Sequence, residues 1–150
     1  LDNGSTYYDE LTNDIMKEIM DDIDIFNSNW KKKSKPHILV IFDDVVHTMP
    51  SNRKRGQHFN KFMTCNRHMN SSVVILTQRL NELSPLVRSQ ADIISFFKTS
   101  NKKENDTFKE TYGVDDDLME FLKDNHDFLT VSYTGKKPKI YYKFDEVDKE

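Results

Sequence analysis

The stretch HILVIFDD, at residues 37–44, decides the fold of this chain. Its five successive apolar residues, 38–42, have the length of a β-strand, and the absence of polar alternation is typical of a strand buried on both faces of a parallel sheet. Two acids, Asp43 and Asp44, follow directly. Because ligands bind outside the carboxyl ends of the strands in parallel α/β sheets, the pattern predicts that both carboxylates face a functional crevice.

Helical patterns flank this strand on both sides. Between residues 8 and 26, apolar residues recur at three- and four-residue spacing, which predicts an amphipathic helix. The predicted apolar stripe of this helix consists of Leu11, Ile15, Ile19, Ile23 and Phe26. A second helix is expected from about residue 53 to 68, with Phe59, Phe62, Met63 and Asn66 on one side.

A second buried strand, SVVILT at residues 72–77, follows. Further on, the sequence predicts a short helix at 84–90, which Pro85 opens at a first-turn position, and a third strand at 92–98. The remaining elements are two helices and a terminal hairpin, at residues 102–111, 115–123 and 128–144. Gly113 is placed to end the first of these helices.

Strands that alternate with helices predict an α/β fold. We expect one domain over residues 1–150, with a central parallel sheet flanked by helices. A C-terminal antiparallel hairpin is expected at the edge of that sheet.

Charge argues against a general nucleic-acid-binding surface. The net charge of −3 gives no global basic field, so a nucleic-acid role has to depend on local clusters. One cluster contains Lys31, Lys32, Lys33 and Lys35, and the other contains Arg53, Lys54 and Arg55. Each is equally well explained as a solvated loop or as a contact for phosphate groups.

Two other classes of protein are excluded by composition. The single Cys65 rules out an internal disulfide framework and a cysteine-based zinc site. No apolar run approaches the roughly 20 residues that a membrane-spanning helix needs, so we expect no membrane association.

The strand followed by two acids is the Walker B arrangement of P-loop ATPases. There the first acid holds Mg²⁺, usually through water, and the second acid orients or deprotonates the attacking water. The same pattern occurs in many α/β proteins in which the acid only caps the next turn.

Two residues near the second strand fit the same chemistry. Gln78 follows that strand directly, at the edge of the sheet where the acids are expected, and could hold the attacking water or sense the γ-phosphate. Its alternative role is a hydrogen bond to a neighbouring loop. Arg67, at the end of the preceding helix, could be an arginine finger for a neighbouring subunit, or simply a partner of the helix dipole or a surface charge.

Residues 66–78, NRHMNSSVVILTQ, followed by Pro85, Arg88 and Asp92, resemble the packaging ATPases of poxviruses and other large DNA viruses, within the HerA–FtsK superfamily. In that superfamily an Arg-containing helix end leads into an apolar strand that finishes in Gln, soon after a Walker B strand. The resemblance extends from about residue 38 to 98, and more loosely through the terminal hairpin.

The resemblance implies a partial P-loop NTPase domain of the RecA-like kind over residues 1–150, and it implies a role for each matching residue. Asp43 would be the Mg²⁺-associated acid, Asp44 would stand where the catalytic Glu often stands, and Gln78 would be the sensor-like residue. Arg67 would be the candidate finger, and Arg88 would contact nucleotide or a subunit interface.

Family members form homo-oligomeric rings, commonly hexamers, that couple ATP hydrolysis to translocation of double-stranded DNA. The resemblance therefore implies Mg²⁺ and ATP as cofactors and double-stranded DNA as a partner, with Arg53, Lys54 and Arg55 as candidate DNA contacts. It further implies capsid components as candidate partners and the host cytoplasm or virion as the location.

Two departures from the family pattern count against full activity. Asp44 is one methylene shorter than Glu, so its reach to a water needs a compensating shift. No Gly-x-x-x-x-Gly-Lys-[Ser/Thr] motif is present. That loop supplies most of the grip on the β- and γ-phosphates. We therefore expect the phosphate-binding strand and loop to lie outside this sequence, and this chain alone to bind ATP poorly and to be inactive.

Two other functions remain open. A Mg²⁺-dependent nuclease or resolvase would use Asp43, Asp44 and a further acid such as Asp92 to bind metal directly and cut DNA. A catalytically silent, degenerate P-loop domain would serve only in assembly.

Overall fold

The computed structural model describes residues 5–31, 35–44 and 57–147. The chain divides into two compact units, Leu1–Gln78 and Arg79–Glu150. The single domain expected over residues 1–150 stays a prediction.

In its described residues, the first unit contains two helices and two strands, in the order α1 Asn13–Ser28, β1 Ile38–Asp43, α2 Gln57–Cys65 and β2 Ser71–Leu76. All four were predicted. Helix α1 begins five residues later than expected, because Thr12 caps it: the Thr12 side chain accepts a hydrogen bond from the Ile15 backbone N–H at 3.2 Å. The predicted start of α2 near residue 53 lies outside the described residues.

The buried side of α1 differs in part from the predicted stripe. Met16, Met20, Ile23 and Asn27 are the buried residues of this helix, at a spacing of four, three and four. The predicted Phe26 is instead 40% exposed. In α2 the predicted residues Phe59, Phe62 and Met63 are all buried. Burial of each such side chain stabilises the fold by about 1.5–3 kcal/mol.

The strands β1 and β2 pair in parallel, from Ile38 opposite Ser71 to Asp43 opposite Leu76. The side of β1 that carries Phe42 packs on α2, where the Phe42 ring makes edge-to-face contacts with Phe59 and Phe62 at centroid distances of 5.3 and 6.4 Å.

The opposite side of this parallel pair is exposed. Its large apolar residues are Leu39, Ile41, Val74 and Leu76, each between 40% and 58% exposed. The prediction that these strands are buried on both faces is therefore wrong for this chain. An unbroken apolar run indicates that both faces are apolar, but it does not indicate that both are covered. We call these four residues the open face.

The second unit contains three helices and four strands. In chain order they are α3 Pro85–Ser89, β3 Ile93–Phe97, α4 Lys102–Tyr112, α5 Asp116–Met119, β4 Phe128–Ser132, β5 Lys139–Tyr142 and β6 Asp145–Val147. A short 3-10 turn, Leu80–Glu82, and β6 were not predicted. Gly113 ends α4 in the left-handed conformation, with φ +67°, as expected.

Backbone hydrogen bonds divide the described strands into two sheets: the parallel pair and a four-stranded antiparallel sheet in the order β3-β4-β5-β6. The predicted hairpin is β4 and β5. A parallel and an antiparallel part were both expected, but within one sheet. The core of the antiparallel unit includes Leu129, Val131 and Ile140, and Phe96 stacks on Phe108 at a centroid distance of 4.3 Å.

A buried acid fastens the loop between α5 and β4. Asp127 is 2% exposed and forms an ion pair with Lys143 at 2.8 Å. Its carboxylate also accepts hydrogen bonds from the Lys123 and Asp124 backbone N–H groups and from the Tyr142 hydroxyl. The Lys143 ammonium, followed by these hydrogen bonds, holds the pKa of Asp127 well below its usual range.

Among the described residues, no helix is long and apolar enough to cross a membrane.

Candidate functional site

The two acids lie at the carboxyl end of β1. Asp43 is the last residue of the strand, and both carboxylates are exposed. The backbone N–H of Asp44 donates to the Leu76 carbonyl at 3.0 Å, which extends the ladder by one residue. Asp44 then adopts a left-handed backbone with φ +49°, a conformation that Asp tolerates better than most residues. The chain therefore turns sharply out of the strand at Asp44.

Gln78 lies at the same edge of the parallel pair, as the sequence predicted. Its side-chain Nε2 donates a hydrogen bond to Asp44 Oδ2 at 3.2 Å. The two residues are 34 positions apart in the sequence, and the parallel register of β1 and β2 brings them together. The structure thus joins two of the predicted catalytic residues directly.

The chemistry of this edge fits a hydrated Mg²⁺ ion. Magnesium prefers oxygen ligands, usually keeps several waters, and is bound through one or two carboxylates together with substrate phosphates. Asp43 and Asp44 supply such carboxylates. In the described parts of the chain there is no group of three or more potential metal ligands. Asp92 lies in the second unit, so the three-acid metal site of a nuclease stays a prediction.

Arg67 lies at the other edge of the parallel pair. It belongs to the turn of residues 66–70 that connects α2 to the beginning of β2. The five residue steps of β2 from Ser71 to Leu76 span about 17 Å at about 3.3 Å per step. Within one chain, Arg67 is therefore not brought together with Asp44 and Gln78.

The turn that carries Arg67 is tied down by side chains. Asn27, from the buried side of α1, donates through Nδ2 to the Met69 carbonyl at 2.7 Å. Asn70, which has a left-handed backbone with φ +54°, donates through Nδ2 to the Pro36 carbonyl at 2.8 Å. Sequence reasoning did not single out these two asparagines. The position of Asn27 could have been noticed in the sequence, because this polar residue has the helical spacing that places it on the same side of α1 as Met20 and Ile23.

Arg88 lies in α3 of the second unit. Its Nε and Nη1 atoms are buried and make no hydrogen bond with the described residues. The Tyr112 hydroxyl donates to the Arg88 carbonyl at 3.2 Å. Burial raises the pKa of Tyr112 to about 12, against the opposing charge of Arg88, so this phenol stays protonated at neutral pH. A nucleotide or interface role for Arg88 stays a prediction.

The candidate DNA contacts Arg53, Lys54 and Arg55 lie outside the described residues. Of the first basic cluster, the structure describes Lys31, which is exposed, and Lys35, which is partly exposed. DNA contact by either cluster stays a prediction.

Solved structures of viral packaging ATPases share this fold. B204, the DNA-packaging ATPase from Sulfolobus Turreted Icosahedral Virus, matches with a TM-score of 0.69 and 20% identity, over 91% of this chain and 64% of that chain. The genome packaging NTPase B204 from Sulfolobus turreted icosahedral virus 2 matches in complex with ATP-gammaS, with a TM-score of 0.66 and 21% identity, over 90% and 64% of the two chains. Its complex with AMPPCP matches with a TM-score of 0.65 and 22% identity, over 89% and 63%.

The chain thus spans less than two thirds of the length of these solved proteins. At such identities the likeness shows the fold alone, and it confirms the predicted α/β P-loop fold class. A search of curated protein sequences found no match.

The family model of the poxvirus A32 protein matches residues 7–122, which is more than half of the chain. This match begins 31 residues before the stretch from 38 to 98 on which the resemblance was recognised, and it ends before the terminal hairpin. The resemblance to viral DNA-packaging ATPases is confirmed, and the chain belongs to the poxvirus A32 protein family.

Proposed function

We propose that this chain is the part that binds Mg²⁺ and hydrolyses ATP in an ATPase that translocates double-stranded DNA during viral genome packaging. The observation that carries the proposal is the contact between Asp44 and Gln78 at the carboxyl end of a parallel strand pair, in a member of the poxvirus A32 family. The solved proteins with this fold are described as packaging ATPases, and two of the structures contain ATP analogues. These descriptions support nucleotide binding by the complete protein.

The two acids have separate tasks in this proposal. Mg²⁺ bound with ATP would neutralise charge on the β- and γ-phosphates. Asp43, at the rigid end of β1, would hold a water of that ion. Asp44 would accept a proton from the attacking water, because its exposed carboxylate lies just beyond the strand end, where the backbone adopts a left-handed conformation.

Arg67 would act on the site of a neighbouring subunit. It lies before the start of β2, which itself spans about 17 Å, so Arg67 could reach a γ-phosphate only when a second copy presents its carboxyl edge. Head-to-tail contacts of this kind form a ring when the rotation between neighbours closes. We therefore infer a homo-oligomeric ring, with Arg53, Lys54 and Arg55 as candidate contacts to DNA and capsid components as candidate partners.

A phosphate-binding loop has to be supplied from outside these 150 residues. The sequence has no Gly-x-x-x-x-Gly-Lys-[Ser/Thr] motif, and backbone N–H groups of that loop provide the main grip on the phosphates. We infer that the isolated chain binds ATP poorly and that the longer protein acts in the infected cell during virion assembly.

The test is ATP hydrolysis by the longest natural reading frame that contains this segment. We expect hydrolysis that requires Mg²⁺ and is stimulated by double-stranded DNA. A frame that contains a phosphate loop and yet shows no turnover would contradict the motor and indicate a silent assembly domain. Cleavage of DNA with Mg²⁺ and without ATP would instead indicate the nuclease.

A further inference from the structure

The contact between Gln78 and Asp44 assigns Gln78 a task that differs from sensing the γ-phosphate. The Gln78 Nε2 atom donates to Asp44 Oδ2 at 3.2 Å, and both side chains are exposed. We propose that Gln78 is a positioning residue that acts through Asp44, holding its carboxylate in the orientation that accepts the proton of the attacking water. This inference rests on the proposed function and specifies how its general base is oriented.

The length of the Asp44 side chain explains why such help is needed. A Glu at this position would reach further by one methylene, so the carboxylate of the shorter Asp has to be oriented by its backbone conformation or by a hydrogen-bond partner. The structure contains both. Asp44 has the left-handed φ of +49°, which turns the chain out of the strand, and its Oδ2 is held by the Gln78 amide.

The hydrogen bond also makes the two carboxylate oxygens of Asp44 different from each other. Oδ2 accepts the amide N–H, whereas Oδ1 has no hydrogen bond to the amide and is the freer oxygen to accept the proton of a water. An exposed carboxylate without such a donor samples several rotamers, and a misplacement of about 1 Å at a reacting group can cost roughly 100-fold in rate. A single amide contact can therefore have a large kinetic effect even though it contributes little to stability.

The position of Gln78 is set by the backbone pairing of β1 and β2 and not by contacts of its own side chain. It follows β2, whose register with β1 extends to Asp43 opposite Leu76, and the next ladder bond joins the Asp44 N–H to the Leu76 carbonyl. Since these backbone bonds set the distance between the two strand ends, the Gln78 amide reaches Asp44 before any ligand is present.

The contact itself can be tested on the 150-residue chain by NMR, without nucleotide. The side-chain amide signal of Gln78 is recorded in the parent chain and in Asp44→Ala, with Asp43→Ala as the matched control. We expect Asp44→Ala to shift the signal clearly and Asp43→Ala to shift it much less. An equal response to both substitutions, or no response to either, would overturn the inference.

The kinetic test is a double-mutant cycle in the longest natural reading frame. We expect Gln78→Ala to lower kcat by about 10- to 100-fold with the KM for ATP changed by less than about 2-fold, because the lost interaction positions a base and does not bind nucleotide. In an Asp44→Glu background, whose side chain is longer, the same change should cost less than about 3-fold. The control Gln90→Ala removes an exposed Gln of the second unit and should leave kcat unchanged.

The two levels of the proposal fail in different ways. If Gln78→Ala costs the same factor in both backgrounds and raises KM, Gln78 acts on the nucleotide, and only the positioning role is refuted. If Asp44→Asn turns over ATP at the parent rate, Asp44 is not the base, and the inference is refuted while the ATPase function stands. If the parent reading frame itself shows no ATP turnover, the proposed function is refuted.

Discussion

The two edges of the β1–β2 pair differ in how firmly they hold their functional side chains. At the carboxyl edge, Asp44 and Gln78 are exposed and are joined to each other by one side-chain hydrogen bond. At the amino edge, a buried hydrogen bond from Asn27 and a second from Asn70 fasten the turn that carries Arg67. The chain itself thus fixes the backbone turn at the amino edge, whereas the two side chains at the carboxyl edge hold each other.

The largest expected effect comes from removing the amino-edge cation. We predict that Arg67→Ala in the complete protein lowers kcat by about 10³- to 10⁵-fold, the range for arginine fingers. The control Lys61→Ala removes an exposed cation of α2 and should leave kcat near the parent value.

Mixed rings would sharpen this comparison. Because Arg67 would serve a neighbour, Arg67→Ala subunits mixed with Asp44→Asn subunits should regain turnover that neither variant shows alone. A mixed interface is intact in one of its two orientations, in which the Asp44→Asn subunit supplies Arg67 and the Arg67→Ala subunit supplies Asp44. Mixtures that stay as inactive as both parents would show that the two edges do not meet between subunits.

At the carboxyl edge, Asp44→Asn should lower kcat by about 10²- to 10⁴-fold while nucleotide binding stays largely intact, since the amide keeps the shape but cannot accept the proton. Turnover and nucleotide affinity are measured on the same preparation. The control is Asp24→Asn, which neutralises an exposed acid of α1 and should change neither value.

A smaller effect, on stability, is expected at Asn27. Replacement by Ala leaves the Met69 carbonyl without its buried donor, so we predict a loss of about 1–3 kcal/mol in the free energy of unfolding, measured by urea denaturation. Asn29→Ala, at the exposed end of the same helix, should cost less than about 0.5 kcal/mol. Equal losses would mean that the amino edge is not specifically fastened.

The smallest expected effect is on the melting temperature and comes from Asp127, which lies at neither edge. Its replacement should change stability without changing the candidate site. The pKa of Asp127 is lowered in the folded chain, so its contribution to stability is present above the ordinary Asp range and is lost as pH falls through that range and below it. Asp127→Asn should lower the melting temperature at pH 7 by roughly 5 °C and flatten its decline between about pH 5 and 3. A decline as steep as that of the parent chain would contradict the ionic contribution, and Asp117→Asn is the exposed control.

Much of this architecture could be predicted because its signals are local. The apolar run before Asp43, the Gly113 helix end and the hairpin turn each determine a short stretch of backbone. The rule that parallel strands share a carboxyl edge then brings Gln78 to the acids. The left-handed φ of Asp44 and the bond from Asn27 to a carbonyl 42 residues away depend on tertiary packing, which local patterns do not encode.

The open face has a practical consequence for work with the isolated chain. Four large apolar side chains side by side on one surface, Leu39, Ile41, Val74 and Leu76, favour self-association. Apolar association of this kind strengthens on warming, because the hydrophobic free energy that drives it is weakest at low temperature. A purified preparation should therefore elute as a single species when cold and dilute, and form larger particles reversibly as temperature or concentration rises.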